Sequence, residues 1–244
     1  MRNPNGTPER QMKVTAVRWF LPFALLIAGA IFPCAAKADV EHDLQLWTPV
    51  TLDEPIRGKL RAYFEVAPRI GFDMTQISQL LVRPGLEWRQ NDDLGFFAGY
   101  LWQTNYSNEN SQVVHENRIW QQILSHKRIK RVAMFNRLRT EQRFLGGVNG
   151  CSNRLRYLMK FNYNLNKRFY LTTQDELFIN LNSLEGGPQG GIDQNRYFVG
   201  VGVKTIKRSR VEVGYQLQYV NRTDEFDDQA NHAIVIQTFI GLRD

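Results

Sequence analysis

From about residue 56 onward, apolar and polar residues alternate along the chain in long runs. Residues 58–68 place Leu60, Ala62, Phe64 and Val66 on one parity, with Lys59, Arg61, Tyr63 and Glu65 on the other. Residues 131–143 set Val132, Met134 and Leu138 against Arg131, Arg137, Arg139, Glu141 and Arg143. In 153–165, Leu155, Tyr157, Met159, Phe161, Tyr163 and Leu165 oppose Arg154, Arg156 and Lys160. Tyr197, Val199, Val201 and Val203 oppose Arg196, Gly200, Gly202 and Lys204 in 195–204. Val211, Val213, Tyr215, Leu217 and Tyr219 oppose Arg210, Glu212, Gln216 and Gln218 in 210–220. A period of two predicts strands with two unlike faces. Runs this long match the roughly 9–11 residues of a tilted membrane-crossing strand, not the mean of about 5–6 in soluble sheets. The pattern therefore predicts an all-β fold, an antiparallel transmembrane β-barrel. Without helices, only a closed barrel satisfies every backbone polar group in lipid.

The connections alternate between short and long. Residues 90–93, 125–130, 166–168 and 205–209 are short; 105–112, 145–152, 181–192 and 221–230 are longer and rich in Asn, Gly or acidic residues. Short periplasmic turns and longer outer loops are the habit of outer-membrane barrels. Trp88, Phe96, Phe97, Tyr100, Trp102, Tyr106, Phe169, Tyr170, Tyr197 and Tyr219 fall near predicted strand ends, where an aromatic girdle is expected. Ten long strands fit between residues 56 and 242, placing both chain ends at the periplasmic face. Residues 40–50 form an eleventh alternating run: Val40, His42, Leu44 and Leu46 against Glu41, Asp43, Gln45 and Trp47. Eleven breaks the even parity of single-chain bacterial barrels. Either this run pairs at the rim or a twelfth strand exists, so the expected count is ten to twelve.

The first 38 residues read as a leader. Lys13 and Arg18 precede the apolar stretch Trp19 to Phe32, and Ala36-Lys37-Ala38 is an A-x-A cleavage site. The expected organisation is a cleaved signal peptide over 1–38 and one barrel domain over 39–244. Phe32-Pro33 before Cys34 does not suit a lipoprotein site. The whole chain holds 31 Lys and Arg against 24 Asp and Glu. The leader takes five of the basic residues and one acidic, leaving a net charge of +3. The basic balance thus belongs largely to the leader, and no nucleic-acid partner is expected. Cys151, the one cysteine left after cleavage, sits among Gly146, Gly147 and Gly150 and reads as an idle loop thiol.

Charge on the polar parity is the unusual feature. It comprises Glu116, Arg118, Arg137, Arg139, Glu141, Arg143, Arg154, Arg156, Lys160, Glu176, Arg196 and Glu212. An Arg or Lys facing lipid at the midplane costs about 2–4 kcal/mol, so parity turns this belt toward the lumen. There it either forms a salt-bridge network that fills a narrow barrel or lines a pore or ligand pocket. Basic residues outnumber acidic ones in the belt, which favours a small anionic solute.

Catalytic signals are weak. His42, His115, His126 and His232 have no serine at fixed short spacing on a shared inward parity, and His126 sits in the basic turn Ser125-His126-Lys127-Arg128. No His/Asp/Glu cluster has metal spacing, and the glycines around Pro188 form a loop, not a phosphate cradle. No cofactor is expected.

Several spaced motifs resemble domain-of-unknown-function family 2490. They are Glu116-x-Arg118-x-Trp120-Gln121-Gln122, Arg137-x-Arg139-x-Glu141-x-Arg143-Phe144 and Arg154-x-Arg156. Glu176-x-Phe178, Asp193-Gln194-Asn195-Arg196, Gly200-x-Gly202 and Gly214-Tyr215 continue the series. The resemblance runs over roughly 40–242. It implies an outer-membrane barrel of Gram-negative bacteria, and it supplies no catalytic residue. The expected function is that of a non-catalytic outer-membrane barrel, a pore or a binding barrel preferring anions, with membrane lipid as its surroundings. The alternative is an outer-membrane enzyme acting on lipid or lipopolysaccharide. A soluble periplasmic sandwich would instead bury its apolar face.

Overall fold

The computed structural model describes residues 40–107, 112–205, 208–222 and 227–241. The leader and its cleavage site lie outside the described residues. The strands are β1 (Val40–Trp47), β2 (Val50–Arg57), β3 (Leu60–Gly71), β4 (Gln76–Arg89), β5 (Leu94–Tyr106) and β6 (Val113–Ile129). They continue as β7 (Val132–Leu145), β8 (Ser152–Asn164), β9 (Phe169–Asn180), β10 (Gly191–Lys204), β11 (Arg210–Val220) and β12 (Asp228–Ile240). From β3 to β12 each strand pairs antiparallel with the next in the chain.

β1 and β2 are two halves of one stave. Across the gap at Thr48-Pro49 the register does not shift: Trp47 faces Val235 and Val50 faces Thr238, while on the other side Trp47 faces Arg69 and Val50 faces Val66. Pro49 has no N–H to give the ladder, which accounts for the break. Its carbonyl still accepts from the Thr238 N–H at 2.9 Å.

The barrel is therefore closed and has eleven staves, with the β1–β2 stave lying between β12 and β3. An odd ring of up-and-down strands must contain one parallel pair, and it is this stave against β12. The count falls inside the expected ten to twelve. Neither explanation offered for residues 40–50 holds: the run is the first half of a stave that β2 completes, and among the described residues there is no twelfth stave. Val40 consequently starts at the end that carries the long loops, beside Asp228, and Ile240 finishes at the end with the short turns. The expectation that both ends share one face fails for the same reason.

Side-chain orientation is inverted relative to a soluble domain. Leu86, Ile119, Leu138, Val199, Val213 and Ile236 are exposed on the outside, while Arg139, Glu141, Glu87 and Glu212 are fully buried inside. Two apolar clusters also occupy the interior: one of Ala67, Leu81, Phe97, Leu101 and Trp120, the other of Trp47, Phe198, Ala233 and Val235. Phe97 and Tyr170, expected in the girdle, are thus interior residues at 7% and 1% exposure. Their parity places them inward, and glycines make the room. The Tyr170 ring lies over Gly202, where any Cβ would collide with it, and a Cβ at Gly99 would come within 2.7 Å of Trp120.

Candidate functional site

Charged residues fill the interior in connected groups. At the turn end, Arg61 Nε donates to Asp53 Oδ1 at 2.6 Å, and Arg89 Nη2 reaches Asp53 and Glu87, each at 2.7 Å. Arg61 Nη2 also donates to the Asp53 carbonyl at 2.7 Å and the Gly241 carbonyl at 3.2 Å. One guanidinium thereby ties β2, β3 and the end of β12 together across the closing seam. Beside this group, Arg83 Nη1 donates to both oxygens of Glu65 at 2.7 Å, and the Tyr63 hydroxyl donates to Glu65 at 2.6 Å.

Glu141 on β7 is the hub of the opposite wall. Its oxygens lie 2.6 Å from Arg154 Nη2 and 2.6 Å from Arg156 Nη1, with Arg118 at 3.5 Å and Arg139 at 3.9 Å. Glu116 accepts from Arg118 and Arg143, each at 2.6 Å. Glu176 accepts from Arg137 at 2.6 Å and lies 2.7 Å from Arg156 Nη2. Glu212 holds Lys160 at 2.6 Å and accepts from the Tyr170 hydroxyl at 2.8 Å and Gln237 at 2.6 Å. Forked Arg–carboxylate contacts of this kind are short because both partners are charged.

All eleven belt residues read from the sequence, together with Lys160, lie inside the barrel. Eleven of these twelve enter the ion pairs above; Arg196 does not. It sits opposite Glu176 in the β9–β10 ladder, yet among the described residues no carboxylate lies within ion-pair distance of it. Glu176 is already taken by Arg137 and Arg156. Arg196 instead contacts Gln194 at 3.2 Å and stacks near Trp47 and Phe178. Sequence reasoning put Arg61 and Glu65 on the polar parity but left them out of the belt, and it missed Asp53, Arg69, Arg83, Glu87 and Arg89. Their inward parity is visible in the alternation of β2 to β4, but no dense Arg run marks it.

Among the described residues, the lumen holds a loop-side cavity and a turn-side cavity. The loop-side cavity measures about 420 Å³ and reaches from Asp43 and Tyr106 down to Arg156 and Arg196. The turn-side one measures about 270 Å³ and is lined by Asp93, His126 and Phe239 among others. Arg69, Arg83, Arg156 and Arg196 border both, so they mark the waist between the two.

Among the described residues no histidine sits in a complete nucleophile, base and carboxylate triad. His126 lies within β6, which runs on to Ile129 so that the turn falls at Lys130-Arg131, and its ring stacks on Phe135 at 4.5 Å. His42 and His232 hydrogen-bond each other at 2.9 Å across the parallel seam, and Tyr215 reaches His232 at 2.7 Å. Thr104 Oγ1 is 3.2 Å from His115 Nδ1, as a nucleophile and base would be. Thr104 is only 2% exposed, however, and among the described residues no carboxylate hydrogen-bonds that imidazole. Cys151 is a free thiol in the loop before β8. Among the described residues no group of three or more His, Cys, Asp or Glu is placed to hold a metal ion.

The class defined by these features is a closed β-barrel whose interior is lined by buried Arg–Glu salt bridges. Within that class the chain belongs to the family described as protein of unknown function (DUF2490), which matches residues 44–230. It is 29% identical over 222 residues to an uncharacterised protein of Methylorubrum extorquens, covering 88% of this chain and 96% of that protein. No solved structure matches.

Proposed function

We propose that the protein is a non-catalytic outer-membrane barrel, closed to free ion flow, that takes a small anionic solute into its loop-side cavity. The observation that carries this reading is the lining of that cavity, where seven arginines face three carboxylates. A volume of about 420 Å³ lies within the range of small-molecule sites, roughly 300–1,000 Å³. The outward apolar band and the inward charges are what a barrel in lipid requires. With short turns in the periplasm, the cavity opens to the exterior. Support for closure comes from the waist, where Arg83 and Arg156 are buried and ion-paired while Arg69 and Arg196 pack against Trp47. The leader over 1–38 supplies export, with mature protein beginning at Asp39.

Planar-bilayer recording of the purified protein tests the reading. The expected result is no sustained conductance. A stable anion-selective conductance would make the barrel a channel. Cation selectivity would overturn both the closure and the anion preference. Recovery of the mature protein in the soluble periplasm would remove the membrane reading altogether.

A further inference from the structure

We infer that Arg69 and Arg196, both packed against the Trp47 indole, form the anchoring site for the oxyanion of a small polyhydroxylated solute, a sugar phosphate or sugar acid. The inference rests on the cavity reading above but not on the closure of the barrel.

Three observations carry it. First, these two guanidiniums are the charge left over when the interior is paired. Arg69 Nη1 donates to Gln79 at 2.6 Å and its Cζ sits 3.7 Å from the centre of the Trp47 ring. Arg196 Cζ lies 5.1 Å from the same ring and 4.6 Å from Phe178. Among the described residues neither has a carboxylate partner. Two like charges held against one ring, half-buried in the cavity wall, repel each other and favour an anion between them.

Second, the carboxylates in the cavity wall are already engaged. Asp43 accepts from Gln45 at 2.6 Å and from the Asp73 N–H at 2.8 Å. Glu116 holds Arg118 and Arg143, and Asp193 lies 2.9 Å from Arg154. Donor capacity is nevertheless spare: Arg196 Nε and Arg143 Nη1 are buried with no hydrogen-bond partner. Unpaired buried donors of this kind mark a place where a ligand's acceptors fit.

Third, carboxamides make up much of the same wall, among them Gln45, Gln103, Gln194, Gln218, Asn105 and Asn231. An amide offers two donors and an acceptor, matching hydroxyl groups that both give and take hydrogen bonds. A guanidinium fork suits the two coplanar oxygens of a phosphate or carboxylate. Together they select an anionic head on a hydroxylated body, not a bare halide or an acyl chain.

Isothermal titration of the folded full-length barrel in nonionic detergent tests the site. The probes are glucose 6-phosphate and glucuronate, with glucose and with sodium chloride at matched ionic strength as controls. Saturable binding of at least one anion, absent with glucose and with chloride, is the expected result, and which anion binds identifies the source of the oxyanion. Arg69→Gln and Arg196→Gln should each weaken that binding by about tenfold or more, as the loss of one charged fork implies. Arg131→Gln, in an exposed turn at the other end, should leave it unchanged. Arg69→Lys keeps the charge, loses the fork and should also bind more weakly. No saturable binding of either anion overturns the inference, as does undiminished binding in the folded Arg69 and Arg196 variants. A barrel that conducts yet binds keeps this site and loses only the closure; one that is closed and binds neither anion loses the site.

Discussion

Glu141 on β7 and Arg156 on β8 meet diagonally across the strand pair, Oε1 to Nη1 at 2.6 Å, with side chains 1% and 5% exposed. The same carboxylate also bridges to Arg154, so a single acid is shared by two buried guanidiniums, which reach Asp193 and Glu176 as their second acids. Breaking a dry pair by removing one partner leaves uncompensated charge, which costs about 3–5 kcal/mol. An exposed pair loses only about 0–1 kcal/mol. Glu141→Ala should fall in the first range when unfolding is measured by denaturant titration in lipid vesicles. The double variant Glu141→Ala, Arg154→Ala should recover part of the loss, since it removes a charge that the single change strands. A loss within the exposed-pair range would mean that water penetrates the waist, and the closed reading would fail with it.

The outer face gives the complementary case. Met159 lies between Leu158 and Lys160, both turned inward and buried, so its own side chain points out of the barrel. If that face meets hydrocarbon, Met159→Arg should destabilise the barrel in vesicles by about 2–4 kcal/mol near the midplane. Unchanged stability would place this stretch of β8 outside the hydrocarbon.

The parallel seam rests on a small number of specific contacts. Arg61 donates to the Asp53 carboxylate and carbonyl and to the Gly241 carbonyl, joining the first stave to the end of the last. Arg61→Ala should loosen that junction more than the rest of the barrel. Amide hydrogen exchange is expected to quicken in β2 and at the end of β12 while β6 to β8 keep their protection. Uniform acceleration around the barrel would show that Arg61 supports global packing, not the seam.

Much of this architecture was legible in the alternation. Leu155 to Leu165 and Val211 to Tyr219 announced their outer faces because apolar residues hold one parity without a break along each run. The same parity put Glu141 and Arg156 inside. Closure was less legible, since the hydrophobic period says nothing about strand direction. Residues 40–50 read as a segment pairing at the rim or as one of twelve strands with another still to be found. Only the pairing of Val40 with Asp228 shows a parallel stave. The charges on β2 to β4 escaped notice for another reason. Asp53, Arg69 and Glu87 are separated by Tyr63, Ala67 and Leu81, which also face inward and dilute the pattern. Nor could spacing reveal that Arg196 is left over. That depends on Glu176 being taken by Arg137, which lies 39 residues away in sequence.

The odd stave count has a consequence for orientation. Val40 begins beside Asp228 at the loop end, and the chain reaches its first short turn at Gly58-Lys59. If short turns face the periplasm, Val40 lies on the outer side, opposite to Ile240. Cys151 is in a loop at that same outer end and is partly exposed, so it serves as a native reporter. A membrane-impermeant maleimide applied to intact cells should label Cys151. In a Cys151→Ser background, Glu41→Cys should also be labelled from outside, whereas Lys59→Cys should react only after the outer membrane is permeabilised. Glu41 suits the purpose because its side chain is 58% exposed at the rim, where it pairs with Arg222. Labelling of Lys59→Cys but not Glu41→Cys on intact cells would invert the barrel and turn the arginine-lined cavity toward the periplasm. The anion site would then draw its solute from inside the envelope.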